Sequence, residues 1–497
     1  MKMSTPVELM LLLALSAVVI VPAASAQGNE SSDVGRVMAE AMKSSSLETN
    51  LQNLTDKIGG RVPGTPAMQR AINWGVAAFK AAGGENIHTE TFKLAKSWSE
   101  GATHVAIVAP EQFSVRAVSM GWAPALAPHQ HVRVVDVGAG TAADFQRAGD
   151  VAGGLVLVHS EEMRKWDDLF GEYLKAPGII ELAVKAKALA IAFQSTRPHD
   201  LLYRHTNAVA AEIDPIPQVL LAREDASRIS RLLASGQKVQ ADLAIPNRIG
   251  GPIDSANVVA EIKGSEKPEE FVVLGAHLDS WELGTGALDN GCNAALVVDA
   301  LRAIENGGLK PRRTIRFILF TGEEQGMVGS RAYVAAHSKE LDKAAGVVIF
   351  DSGIGKVTGF SLGGRKDLVE PTTALVAPLK ELDANTLTTD AEWGTDNFDF
   401  MLNGVPTFVA NQEEDNYLIN YHASSDTYDK VDTARLKKHV AEGAALTFAL
   451  ANTPQPIGPR LSHDEIEQTM HETHLDDQLK TFGIWKEWET GQRGRAK

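Results

Sequence analysis

One cysteine, Cys292, stands in 497 residues, so no disulfide can form within the chain. Stability is therefore left to core burial and to any bound metal. Cys292 itself reads as a small packing residue in a helix, not as a nucleophile or ligand. Positive charge is also short. Lys and Arg number 48 against 63 Asp and Glu, a net charge of −15, which argues against nucleic acid or an anionic membrane surface as partner. The amino-terminal apolar run, Leu9 to Val21, falls short of the roughly 18 residues a membrane span needs. With Lys2 before it and Ala24-Ser25-Ala26 after it, residues 1–26 read as a secretory signal peptide cleaved after Ala26. No cysteine stands at that cleavage site, which argues against a lipoprotein anchor. The expectation is an exported chain, periplasmic or extracellular, with no stable membrane anchor after cleavage.

What is present is core-forming material, 44% hydrophobic residues in a length fit for two or more domains. Short apolar runs at 271–276, 314–320 and 346–350 read as buried strands, and each delivers a metal-binding residue type at its carboxyl end. His277 follows the first, the pair Glu323-Glu324 follows the second after Thr321-Gly322, and Asp351 follows the third. Open α/β sheets build their sites at such ends. Asp289 lies in a tight turn, Gly286-Ala-Leu-Asp-Asn-Gly291, ahead of a helix with apolar residues at 294, 297, 298, 301 and 304 that Asn306-Gly-Gly308 ends. His422 completes the set. Taken singly, a histidine after a strand is ordinarily a turn or core residue, and paired glutamates are ordinarily a solvated helix start. Together, two imidazoles and three carboxylates suit a pair of zinc ions. Glu323, directly before the ligand candidate Glu324, supplies a general base beside a metal-activated water, so the chain reads as a two-metal hydrolase.

The stretches Ala276-His-Leu-Asp-Ser-Trp281, Ala287-Leu-Asp-Asn-Gly291, Thr321-Gly-Glu-Glu-Gln-Gly326 and Tyr421-His-Ala-Ser-Ser-Asp-Thr427 resemble the dizinc exopeptidase family of bacterial aminopeptidases. Within it they resemble the plasma glutamate carboxypeptidase (carboxypeptidase Q) branch, over roughly residues 35 to 450. The resemblance implies a mixed α/β sheet flanked by helices, the zinc exopeptidase fold. It also implies two Zn2+ per chain, His277, Asp289 and Asp351 on one and Asp289, Glu324 and His422 on the other, with Asp289 bridging. Glu323 would be the base, Asp279 would orient His277 from behind, and Tyr421 would donate a hydrogen bond to the oxyanion. Asn290 departs from the carboxypeptidase Q pattern, which carries a second Asp there; bacterial aminopeptidases accept Asn.

Two segments, 37–54 and 66–82, read as helices split by a loop rich in turn formers. The stretch 118–247 repeats short strands and a helix with few catalytic residue types and looks like an inserted protease-associated domain. The expected partition is 27–117 and 248–452 for the catalytic domain, 118–247 for the insertion, and 453–497 for a charged extension carrying Trp485 and Trp488. The reaction expected is hydrolysis of short peptides or dipeptides by an aminopeptidase or dipeptidase. Carboxypeptidase action on dipeptides is the alternative, less favoured because no Arg cluster announces a carboxylate clamp. A binding module, or a cyclase-type acyltransferase with one zinc on the same scaffold, is a further alternative. The loop 392–396 is the candidate for reading the peptide terminus, Asp396 there being either a partner for an α-amino group or a plain helix cap. A homodimer is left open.

Overall fold

The structure, a computed structural model, describes residues 24–497 apart from 209 and 392. The expected signal peptide lies outside the described residues as far as residue 23. Two eight-stranded sheets organise the rest. In the first, strands run in the order Glu85–Leu94, Ile253–Ile262, Arg313–Phe320, Lys267–His277, Ala344–Ile349, Thr407–Gln412, Val357–Ser361 and Thr386–Thr388. Its centre is parallel and its flanks carry antiparallel pairs, so the sheet is mixed. Those central strands read as unbroken apolar runs because both faces are covered. The helices Cys292–Asn306 and Thr433–Asn452 pack on one face, burying Leu296, Leu301, Leu436 and Leu446 completely. Asp432 caps the second of these, accepting from the amides of Ala434 and Arg435.

In-register pairing decides where the site falls. His277 pairs with Phe320, and Gly275 pairs with Ile349. The three strands therefore end side by side, and the residues that follow them share one edge of the sheet.

Three expectations are corrected. The helix expected over 37–54 is broken into Ala24–Ala41 and Leu47–Gln52, the latter continuing as a wider-wound turn over Asn53–Ile58. Ser44-Ser45-Ser46 breaks it, and the Ser45 hydroxyl accepts from the Leu47 amide, as serines do when they compete with the helix ladder. The second sheet begins at His104, not at 118. Strands His104–Ala109 and Phe113–Val115 pair with each other, and the first also pairs with Gln240–Ile245, so they are hydrogen-bonded into the second sheet and not into the first. A short ribbon of Trp98–Ser99 with Arg248–Ile249 ties the two crossings of the chain together. The carboxyl-terminal extension is not a bare charged tail. It forms the helices His463–Glu472, Leu475–Thr481 and Ile484–Glu489, which bury Ile466, Leu475, Trp485 and Trp488 against Phe398 and Met401. The wholly buried Arg493–Asp399 pair, 2.6 Å at its nearest, fastens its end.

Candidate metal centre

All five ligand candidates meet at the sheet edge, most of them buried. His277 Nε2 lies 3.1 Å from Asp289 Oδ1 and 2.9 Å from Asp351 Oδ1. His422 Nε2 lies 3.1 Å from Asp289 Oδ2 and 2.9 Å from Glu324 Oε2. Asp289 therefore turns one oxygen toward each histidine. The sets His277–Asp289–Asp351 and Asp289–Glu324–His422 each bring three donor atoms within 4.8 Å of one another. A third such group, His463–Asp464–Glu467, sits at the start of a helix with Asp464 almost fully exposed, and reads as an ordinary acidic helix start.

The charge balance of the cluster calls for cations. Burial raises the Glu323 carboxyl well above its ordinary range, and Asp351, Glu324 and Asp396 push it the same way against His277. Burial raises Glu324 to about 7, opposed by His422 and reinforced by Asp289. Asp351 is raised by burial and by Asp289, though His277 works against the shift. Burial disfavours a charged His422, yet Glu324 and Asp289 outweigh it and lift the ring to about 9. Carboxylates packed this closely repel unless cations sit among them. One further atom is left over: Glu324 Oε1 is buried and has no hydrogen-bond partner among the described residues. Two nitrogens and several carboxylate oxygens, partly unsatisfied, fit zinc.

The loops that carry these side chains are held through their main chain. Asp279 does not orient His277 with its carboxylate, as expected. Its backbone carbonyl faces His277 Nδ1 at 3.0 Å, while its carboxylate stands 3.8 Å from that nitrogen and accepts the amides of Glu323 and Glu324, at 3.3 and 3.2 Å. The reason is geometric: Asp279 is wedged between the end of one strand and the turn after the next. The carbonyl leaves Nε2 facing the carboxylates, the arrangement a ligating imidazole adopts. Asp426 accepts the amides of Ala287, Leu288 and Asp289 and so sets the bridging turn. Arg61, fully buried, donates to the carbonyls of Leu278, Thr285 and Gly286, and burial lowers its guanidinium to about 10. Gly286 has φ 60°, and a Cβ there would stand 2.3 Å from Ser280 Cβ. His422 is also in the left-handed region, at φ 58°, without being glycine, a conformation costing about 1–2 kcal/mol.

The centre opens into a cavity of about 470 Å³, within the range of small-ligand sites. Trp166, Leu169, Phe170 and Tyr173 line it from the helix Trp166–Lys185 of the second sheet's layer. Trp393, Gly394 and Thr395 of the candidate terminus-reading loop line it too, but Asp396 is fully buried and is not among the lining residues. Nor does Asp396 cap the following helix, Phe398–Leu402, whose first residue instead bonds its amide to the Thr395 carbonyl. Tyr421 reaches the cavity with its hydroxyl 3.0 Å from that of Tyr173. No Lys or Arg is among the described residues lining the cavity.

Residues 257–447 match the model of Peptidase family M28. Over that span the chain is similar to this family, and it is a metallopeptidase. Carboxypeptidase Q of Rattus norvegicus is 29% identical over 406 residues, covering 81% of this chain and 85% of that one, and its Homo sapiens counterpart is 27% identical over the same spans. The crystal structure of a Peptidase M28 precursor from Shewanella amazonensis SB2B superposes with a TM-score of 0.80 at 26% identity, covering 88% of this chain and 100% of that one. An aminopeptidase from Aneurinibacillus sp. strain AM-1 shares the fold, with a TM-score of 0.64 at 20% identity over 86% of this chain and 98% of its own. Placed on this M28 frame, Arg61, Tyr173, Arg197 and Asp426 are the residues that sequence reasoning left without a role. Arg61 stands in the loop between the first two expected helices and Asp426 in the stretch 421–427, but they bond to carbonyls and amides, which leave no mark in a sequence.

Proposed function

We propose that the chain is an exported exopeptidase with two zinc ions, acting as an aminopeptidase or dipeptidase on short peptides. The observation that carries this is Asp289 shared between two three-residue ligand sets on the floor of a cavity whose wall has acids and aromatics but, among the described residues, no Lys or Arg. When bound, zinc ions in such a pair polarise a carbonyl and lower the pKa of water. Asp289, His277, Asp351, Glu324 and His422 would hold them.

The remaining steps belong to side chains of the chain. Glu323 lines the cavity with its carboxylate 3.9 Å from His277 Nε2, outside both ligand sets. It takes the proton of the attacking water and passes it to the leaving amine. The Tyr421 hydroxyl, paired with that of Tyr173, stands where it can donate to the oxygen that becomes negative as water adds. An α-ammonium group is at home beside a wall of carboxylates, whereas an α-carboxylate finds no cation there. The aromatic helix from the second layer closes one side and favours short substrates. Similarity to proteins named carboxypeptidase Q supports the second reading, carboxypeptidase action on dipeptides.

A panel of dipeptides, free, acetylated or amidated, followed by mass spectrometry, separates the two. Cleavage of free and amidated peptides with loss on acetylation supports the amino-terminal reading. Cleavage of acetylated but not amidated peptides overturns it.

A further inference from the structure

We propose that the segment 197–204 of the second layer, and Arg197 above all, positions His422 and thereby holds the second metal site together. This rests on the dizinc reading above. The two histidines are oriented differently. His277 has its Nδ1 held by the Asp279 carbonyl, on its own side of the molecule. His422 Nδ1 is buried and has no hydrogen-bond partner among the described residues. Away from the carboxylates that face its Nε2, its ring is placed by the backbone turn, by the tilted Trp281 ring at 6.1 Å and by Tyr421, whose ring stacks on it at 3.6 Å between centroids.

That turn is gripped from the other layer. Arg197 Nη2 donates to the Tyr421 carbonyl at 3.1 Å, and the Arg204 amide donates to the His422 carbonyl at 3.1 Å. The Ser424 amide donates to the Leu202 carbonyl at 2.9 Å, and Tyr203 and Ala423 form a β-bridge. The catalytic layer bonds the amides of Tyr421 and Ala423 but neither of those two carbonyls. Arg197 is itself preset. It is 1% exposed, its guanidinium lies 3.7 Å above the Tyr203 ring, and its Nη1 donates to Glu172 at 3.4 Å. Glu172 precedes Tyr173, whose hydroxyl meets Tyr421 from the same helix. The grip also keeps His422 in its left-handed conformation. Arg197 lies behind the turn and is not among the residues lining the cavity, so it is a positioning residue.

The test is zinc content of the full-length chain, by elemental mass spectrometry, after equilibration with a graded chelator. Arg197→Ala should release one of the two zinc ions at roughly 10- to 100-fold weaker chelation than the wild type needs, as loss of a supporting contact behind a ligand does. The other ion should keep wild-type resistance. Arg197→Lys, with one point donor in place of a planar fork, should fall between, and it carries the same readout if the alanine variant does not fold. Combined with Glu324→Gln, Arg197→Ala should cost no more zinc than Glu324→Gln alone; combined with Asp351→Asn, it should cost both ions. A folded arginine variant that keeps both ions at wild-type resistance, or loosens both equally, overturns the inference. A wild-type chain holding fewer than two zinc ions overturns the dizinc reading and this inference with it.

Discussion

The His277 half of the centre hangs from strand ends, and the His422 half hangs in part from a turn that another layer holds. His277 and Asp351 follow neighbouring parallel strands whose pairing alone brings them together. Glu324 also follows a strand, but His422 comes from the turn after the short helix Tyr417–Asn420. The difference teaches how a site divides its supports. One half is made by sheet register, which local sequence encodes; the other depends on contacts between segments more than 200 residues apart, such as Arg197 with Tyr421.

The largest effect expected separates chemistry from either half. On the proposed two-zinc reading, Glu323→Gln should keep its metal in full, because Glu323 belongs to neither ligand set, while turnover falls by roughly 10²–10⁴. Asp351→Asn should instead deplete the His277 side, and Glu324→Gln the His422 side, each losing activity along with metal. Zinc counts and turnover measured on the three variants break the scheme if Glu323→Gln loses an ion or if either ligand variant works normally.

A smaller effect sharpens the comparison through pH. Burial pushes His205, next in sequence to segment 197–204, down to about 4, against the opposing pull of Glu172. Unfolded, the same ring takes a proton near 6.5, so below that pH the unfolded state binds more protons than the folded one. Its share of stability is whole above pH 6.5 and is lost as pH falls toward 4, at roughly 1.4 kcal/mol per pH unit. His205→Gln should therefore flatten the acid limb of a melting-temperature curve between pH 6.5 and 4. His439, buried in the catalytic layer and lowered to about 4 by burial, is the matched control. Its glutamine variant should flatten the limb equally and leave zinc retention unchanged. An unaltered slope in His205→Gln would contradict the buried neutral ring.

The smallest effect should touch neither half. Trp393 lines the cavity and stacks on Phe482 of the carboxyl-terminal helices at 4.2 Å between centroids. Phe482→Ala removes a stack worth about 0.5–1.5 kcal/mol. It should raise KM a few-fold with kcat and zinc content intact, and a fall in zinc content would show that the extension reaches the metals themselves.

Much of the catalytic layer was legible in the sequence because apolar strands ending in His, Glu or Asp leave a local pattern. The positions of His277, Glu324 and Asp351 could be read that way, Asp289 from the glycine-bounded turn before its helix and His422 from the resemblance of its stretch, and the structure brings all five together. Asp279 was noticed, but its role was misjudged, since a carboxylate and a carbonyl of one residue cannot be told apart in a sequence. The second sheet's start at His104 was missed because its first two strands precede the stretch whose composition changes. Arg197 was invisible for a plainer reason: it bonds to a main-chain oxygen 224 positions away.

The grip on the Tyr421–Ser424 turn bears on how this architecture can be inherited. A layer that only shades a cavity can be gained, lost or exchanged between lineages with little change beneath it. One that supplies hydrogen bonds to the backbone around a ligand cannot be traded so freely. A descendant lacking segment 197–204 would have to find another donor for the carbonyls of Tyr421 and His422 at the same time, so the two layers are bound to change together.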